Sequence, residues 1–345
     1  MRGLNVMTAA RTHKQIRTVI VTGGSAGVGR ALAQRFAEAG DRVGVIARDP
    51  DALEDMRLEL CSRGAAVEVE AVDVSDAEAV FAAAVRLEQR LGTLDVWIND
   101  AMETVFSTVA DISPHEFHRV TEVTYLGCVY GTMAALKSMR RHGRGRIIQV
   151  GSALAYRGIP LQSAYCGAKH ALRGFTASLR TELLHEGSAI RVSIVELPAV
   201  NTPQFDWARV HLDHNPRPMG VPVEPEAVAE AVFRAAQGSW GEYWVGLPTW
   251  LTILGNMALP GYLDRYLAHK AVRGQQTPEP VEPDRPDNLE RPITALHRTR
   301  GSFSAEAKSR VHLFPGEVAR VAALLAGALL VFGLGASLGW WRRAR

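Results

Sequence analysis

Cysteine is scarce. The three residues, Cys61, Cys128 and Cys166, stand far apart and form no CxxC pair. A scattered odd set excludes a disulfide framework and a structural zinc site and fits a reducing compartment, so no metal is expected. A surplus of charge is missing as well: 39 basic against 36 acidic residues leave a net charge of +3. A dedicated nucleic-acid binder would carry a clustered basic face, so no nucleic-acid partner is expected. The opening stretch MRGLNVMTAARTHKQIR holds no apolar run, so no secretory signal is expected. No repeat with a period of roughly 20–50 residues is visible. What remains is a chain of 345 residues, 47% apolar and 22% charged, able to bury a sizeable core.

One stretch is poor in everything a core needs. Residues 277–292, TPEPVEPDRPDNLERP, carry five prolines and seven charges. Neither a helix nor a central strand runs through such a sequence. Residues 274–316 are therefore expected to form a Pro-rich, mobile linker. Beyond it, residues 321–341 read VAALLAGALLVFGLGASLGWW, without a single charge. At about 1.5 Å per residue such a helix crosses a hydrocarbon core of roughly 30 Å. The expectation for 317–345 is a transmembrane helix (321–341) and a basic tail, anchoring a catalytic body that faces the cytoplasm. A soluble cytoplasmic protein with a packed apolar tail is the alternative.

Residues 1–15 read as a tail and 16–273 as one domain. Strand candidates at 18–22, 42–47, 66–72, 94–99, 146–151, 190–196 and 243–246 are rich in Val and Ile and apolar on both faces. Helical stretches at 27–39, 50–63, 76–91, 114–141, 163–185 and 225–237 alternate with them. This pattern predicts an α/β fold: a Rossmann-type doubly wound parallel sheet of about seven strands with helices on both faces. Ligands of such sheets bind at the carboxyl ends of the strands.

After the first strand come Thr22, Gly23, Gly24, Ser25, Ala26, Gly27, Val28 and Gly29, and a helix follows at once. Glycines let the backbone approach a pyrophosphate, and the helix offers free N–H groups and a positive dipole end. The string sits where a dinucleotide site requires it. The second strand ends at Ala47, with Arg48 next. Ala47 offers no carboxylate to a ribose 2′-hydroxyl, whereas the Arg48 guanidinium matches a 2′-phosphate. NADP(H) is therefore expected over NAD(H). Asp49, beside Pro50, reads as a helix cap.

Ser152 follows the fifth strand, and Tyr165 and Lys169 stand four apart on the next long helix, on one face. A lysine beside a phenol favours the phenolate and lowers the tyrosine pKa, so the pair suits proton exchange with a hydroxyl or carbonyl. Ser152 can hydrogen-bond the same oxygen. Taken singly, each has a plain reading as a surface or turn residue.

Together with Asp73-Val74, Asn99-Asp100-Ala101 and the run Pro198 to Thr202, in this order, these residues resemble the short-chain dehydrogenase/reductase family over about 235 of 345 residues. The resemblance implies a nicotinamide dinucleotide oxidoreductase acting on a carbonyl or secondary alcohol of a small, apolar substrate. Tyr165 would be the acid/base, Lys169 would also hold the nicotinamide ribose, and Ser152 would polarise the carbonyl. Asp73, with Val74, would meet the adenine; Asn99 and Ala101 would flank the cofactor. Pro198, Val200 and Thr202 would line the nicotinamide. Three departures stand out: Met102 where the family has glycine, Ala199 where it has glycine, and Thr124 where it has a catalytic asparagine. Thr124 is expected to act through its main-chain carbonyl in a proton relay. A dinucleotide-binding sensor or scaffold with weakened catalysis stays open as a second reading. Phe205, Trp207 and Met219 suggest an apolar cover over the substrate. Residues 255–269 are expected to complete the pocket or a subunit contact, so a homo-oligomer also stays open.

Overall fold

The computed structural model describes residues 16–327. In chain order its elements are β1 (Thr18–Thr22), α1 (Gly27–Glu38), β2 (Arg42–Ala47), α2 (Pro50–Ser62), β3 (Val67–Ala71), α3 (Ala77–Leu91), β4 (Leu94–Asn99) and β5 (Val105–Phe106). Then follow α4 (Pro114–Thr121), α5 (Gly127–His142), β6 (Arg144–Val150), α6 (Ser163–His185), β7 (Ala189–Glu196), α7 (Gln204–Trp207), β8 (Arg209–Val210) and β9 (His214–Pro216). The chain continues through α8 (Pro225–Ala235), β10 (Glu242–Val245), α9 (Gly246–Ala258), α10 (Pro260–Gly274), β11 (Gln276–Pro280) and β12 (Leu313–Pro315).

The main sheet has eight strands in the order β12-β10-β7-β6-β4-β1-β2-β3. Seven run parallel, and β12 joins the edge antiparallel to β10. Every residue of β1 is buried, as expected for a strand covered on both faces. One apolar layer packs α1, α2 and α8 on the sheet through Phe36, Leu53, Met56 and Phe233. The opposite layer packs α3, α5 and α6 through Val80, Leu87, Ala135, Met139 and Leu183. Full burial of a Val, Leu, Met or Phe side chain stabilises a fold by about 1.5–3 kcal/mol relative to exposure.

Local signals set the helix starts. The Asp49 carboxylate accepts the amides of Asp51 and Ala52, with Pro50 in the first turn of α2. Ser113 and Glu116 form a reciprocal capping box on α4. The single helix expected over 114–141 is interrupted: Glu122–Leu126 form a π turn between α4 and α5. One extra residue in the turn shifts the register of side chains across it.

One expectation about the C-terminal part needs correction. Residues 274–316 are not a mobile linker, because their backbone groups bond to the body. Val281 N–H donates to the Asp213 carbonyl, Asn288 N–H to Trp207, Gly301 N–H to Asn201 and Lys308 N–H to Pro222. Proline forbids internal helix but not an extended strap whose remaining amides find partners on loops. Leu289 is fully buried, with Val105, Val120 and Ala164. The apolar tail is described only at its start. A helical segment begins at 316 and continues to 327, the last described residue. Its start docks on the body, with Arg320 bonded to Glu242 and to the Tyr156 hydroxyl. Among the described residues no helix is long and apolar enough to cross a membrane. Most of the expected span 321–341, from 328 onward, and the tail 1–15 lie outside the described residues.

Candidate active site

A single cavity of about 520 Å³ runs along the carboxyl ends of the strands, from the glycine-rich turn to α10. Its floor is glycine by necessity. A Cβ on Gly23 would lie 2.6 Å from Ala101 Cα, and Gly23 has φ +73°. A Cβ on Gly29 would lie 2.2 Å from the Gly23 carbonyl oxygen. A cradle that side chains would fill, opening the α1 N-terminus to the cavity, fits a dinucleotide pyrophosphate. Thr22 lies beneath it, its hydroxyl oxygen accepting the amides of Asp100 and Ala101.

At the β2 end the cavity is lined by Arg48, with Asp73 and Val74 nearby. Arg48 bonds Glu103 and the carbonyls of Asn288 (2.6 Å) and Leu289 (3.1 Å). Despite the cost of burial, Arg119 and Ser75 hold the Asp73 carboxyl below its ordinary value. Burial pushes the Glu103 carboxyl up to about 8, against the pull of Arg48 and Arg119.

Ser152, Tyr165 and Lys169 line the middle of the cavity, beside Pro198, Val200 and Thr202. Lys169 is buried, donates to the Val150 carbonyl at 2.8 Å, and holds its Nζ 5.6 Å from the Tyr165 ring centre. The Ser152 amide donates to Glu196 Oε2 at 2.6 Å. The Tyr165 pKa corrects a sequence expectation. Burial pushes the phenol above its ordinary value, and it outweighs the Lys169 charge and the Ser152 hydrogen bond, which pull it down. The helical spacing reveals the lysine but not the desolvation.

Thr22, Gly29, Asn99 and Thr124 do not line the cavity, whereas the other candidate residues do. Asn99 braces it from below. Its side-chain amide donates to the Cys128 carbonyl, Thr132 Oγ1 and Gln149 Oε1, tying β4 to α5 and β6. Thr124 is fully buried in the π turn. Its hydroxyl accepts the Glu103 amide and donates to the Glu103 carbonyl, both at 2.9 Å. The threonine side chain thus clamps the loop after β4, a role the motif comparison did not suggest.

The substrate end is apolar. Phe205 and Met219 line it from the segment after β7, and Leu251, Leu263 and Leu267 from α9 and α10; Trp207, expected in the same cover, instead packs on His297 near Arg48. Met102 faces the same space. Sequence reasoning missed Asp100 and Glu196. Burial pushes Asp100 up to about 7 and Glu196 up to about 8. Both are acids closing apolar strands at their carboxyl ends, the one signal that marked them. It also missed His297, whose position depends on the strap.

Comparison with known proteins agrees with this geometry. The family profile described as short chain dehydrogenase matches residues 17–210. The chain is 32% identical over 299 residues to the uncharacterized oxidoreductase YxnA of Bacillus subtilis, covering 85% of this chain and 83% of the relative. It is 31% identical over 205 residues to levodione reductase of Leifsonia aquatica, covering 58% of this chain and 76% of that one. Among solved structures it resembles an alcohol dehydrogenase of the archaeon Thermococcus sibiricus complexed with 5-hydroxy-NADP, with a TM-score of 0.57 and 27% identity, covering 65% of this chain and 92% of the other. The profile spans more than half of the chain, on the strands and helices that build the cavity, and so the chain belongs to the short-chain dehydrogenase family of nicotinamide-dinucleotide oxidoreductases.

Proposed function

We propose that the protein is an NADPH-preferring oxidoreductase that interconverts a carbonyl and a secondary alcohol on an apolar small molecule. The observation that carries this reading is the meeting of Ser152, Tyr165 and Lys169 in the cavity that also holds the glycine cradle and Arg48. A bound nicotinamide would supply or take up the hydride. The chain's own residues do the rest. Gly23, Ser25, Gly27 and Val28 hold the pyrophosphate side, and Arg48 takes the 2′-phosphate. Asp73, Val74 and Ala101 flank the adenosine, with Pro198, Val200 and Thr202 at the nicotinamide end.

Tyr165 gives its phenolic proton to the substrate oxygen in reduction and takes it back in oxidation. The buried Lys169 ammonium stabilises the phenolate that remains. The Ser152 hydroxyl orients the same oxygen, and the apolar lining from Leu263, Leu267 and Met219 excludes water. An acid above its ordinary pKa is fully protonated at neutral pH, which suits carbonyl reduction. The test is turnover of a ketone panel with NADPH by the wild type and by Tyr165→Phe. A loss of kcat of about 10²- to 10⁴-fold with cofactor affinity kept supports the enzyme. Cofactor binding with no turnover in the wild type supports a sensor instead.

We also propose that the tail 321–341 attaches the protein to a membrane, with the body on the cytoplasmic side. Its charge-free composition supports this. The exposed Leu251 and Met257 of α9, Leu259 between the helices and Tyr262 of α10 add apolar surface to the body. Fractionation of the full chain and of one ending at 327 tests it. Detergent-dependent extraction of the full chain alone is expected; equal partition into the soluble fraction refutes the attachment.

A further inference from the structure

The turn after Ser152 is fastened at one residue by several elements at once. Ala153–Ala155 form a single 3-10 turn, and Tyr156 closes it, its amide donating to the Ala153 carbonyl at 3.1 Å. The same turn sets the serine side chain. The Leu154 amide donates to Ser152 Oγ at 3.1 Å, and the Ala155 amide to the Ser152 carbonyl at 2.8 Å. A hydroxyl has one proton to give and two lone pairs. With one lone pair taken by the Leu154 amide, the Ser152 proton is left for an oxygen in the cavity.

Tyr156 does not line that cavity, although Leu154 and Arg157 do. Its contacts run the other way. The hydroxyl donates to Glu242 Oε1 on β10 and accepts Arg320 Nη2 of the C-terminal helix at 2.6 Å. The carbonyl accepts the Asn256 side-chain amide of α9 at 2.9 Å. The Arg173 guanidinium lies 3.8 Å from the ring centre, one turn of α6 beyond Lys169.

Glu242 is engaged at both oxygens: Oε1 also accepts Trp244 Nε1 at 2.5 Å, and Oε2 pairs with Arg320. A satisfied network in a largely buried place is rigid. Strand pairing delivers Arg320 to it. Pro315 of β12 stands opposite Tyr243 of β10, the helix starts at 316, and Arg320 comes one turn later. A latch that only fastened the C-terminal helix could sit anywhere on the body. This one closes on the residue that ends the Ser152 turn.

We propose that Tyr156 is a positioning residue acting through Ser152: anchored by Glu242 and Arg320, it holds the turn so that the Leu154 amide keeps the serine hydroxyl aimed at the substrate oxygen. The assignment rests on the catalytic part given to Ser152 above. Hydrogen exchange of the full chain reads the positioning and needs no substrate. In Tyr156→Phe and in Arg320→Met, amides 153–156 are expected to exchange about fivefold faster than in the wild type, and Arg320→Lys is expected to recover part of the change. Unchanged exchange at these amides overturns the proposal. A double-mutant cycle reads the consequence, in NADPH-dependent turnover of the fastest ketone of the panel. Tyr156→Phe is expected to lower kcat about fivefold, with KM for NADPH changed less than about twofold. On a Ser152→Ala background the same substitution is expected to lower kcat less than about twofold, because the group it positions is gone. Equal losses on both backgrounds overturn the positioning role and leave a latch. A Ser152→Ala variant with unchanged kcat marks failure of the mechanism proposed above. A loss in Ser152→Ala with none in Tyr156→Phe marks failure of this assignment alone.

Discussion

The body from β1 to β10 and the strap from 275 to 316 satisfy their backbones in opposite ways. In the body, strand amides bond to neighbouring strands: β6 pairs with β7 over seven residues, from Arg144 with Ala189 to Val150 with Val195. The strap has only short pairings, β11 with β9 and β12 with β10. Elsewhere it bonds one amide at a time to loops, as Asn288 does to Trp207 and Gly301 to Asn201. Its arginines do likewise: Arg285 donates to the carbonyls of Ala208 and Phe205. The body makes a framework from periodic pairing. The strap follows a surface the body has already made, and so can add residues to a site without altering the sheet. On this reading the body carries the chemistry, and the strap carries part of the recognition.

The sharpest test of that division acts on the body. Lys169→Ala is expected to reduce kcat by at least about 10²-fold, because the phenolate loses its nearest cation. The sign of the pH effect follows. The Tyr165 phenol already lies above its ordinary value through burial, and Lys169 is the main group opposing this. Removing it raises the phenol further. In the alcohol-oxidation direction, where the phenolate is the base, activity rises with pH, and the rise should move to higher pH in the variant. A pH profile of kcat with an unshifted limb would detach Lys169 from the tyrosine.

The next test acts on the strap. Leu289 is fully buried among body residues. Leu289→Ala is expected to lower stability by about 2 kcal/mol and to open residues 281–300 to limited proteolysis. A free tether would be cut equally in both proteins, so equal digestion would restore the linker reading. Arg48 stands where the two regions meet. Arg48→Ala is expected to raise KM for NADPH about tenfold and leave that for NADH within about twofold. Parallel changes would mean that its bonds to Asn288 and Leu289 serve only to hold the strap.

The smallest effect concerns the link between them. Glu116 accepts from Arg209 at 3.3 Å and lies 2.8 Å from His211 Nε2, while Arg209 also bonds Asp287 of the strap. Although burial opposes it, the Ser113 amide and hydroxyl and His211 bring the Glu116 carboxyl down to about 2. A depressed carboxyl adds stability above its unfolded pKa, and that stability is lost as pH falls through the folded one. Glu116→Gln should therefore cost about 1 kcal/mol at neutral pH and much less near pH 2, read from denaturant midpoints at both.

Much of the body was legible in the residues themselves. Apolar runs such as Val19 to Val21 are buried on both faces, so their composition betrays a covered strand without further context. Asp49 followed by Pro50 marked a helix start because capping is a short-range bond. The break at Glu122–Leu126 was not legible, because a five-residue π turn is shorter than the window over which helical periodicity is read. The strap was misread for a related reason. Proline and charge forbid local structure, but they say nothing about bonds to partners more than 70 residues away, such as those of Asn288 with Trp207.

The sequence by itself determined the alternation of strands and helices, the glycine cradle and the spacing of Tyr165 and Lys169. Each depends on neighbours within a few residues, and periodicity and steric demand are local properties. Only the tertiary structure decided that burial outweighs Lys169 at the Tyr165 phenol and that the Thr124 hydroxyl clamps Glu103. It alone also brought β12 to the sheet edge and His297 to the cavity. Desolvation and long-range backbone pairing depend on what surrounds a group in space, and that is set once the whole chain has packed.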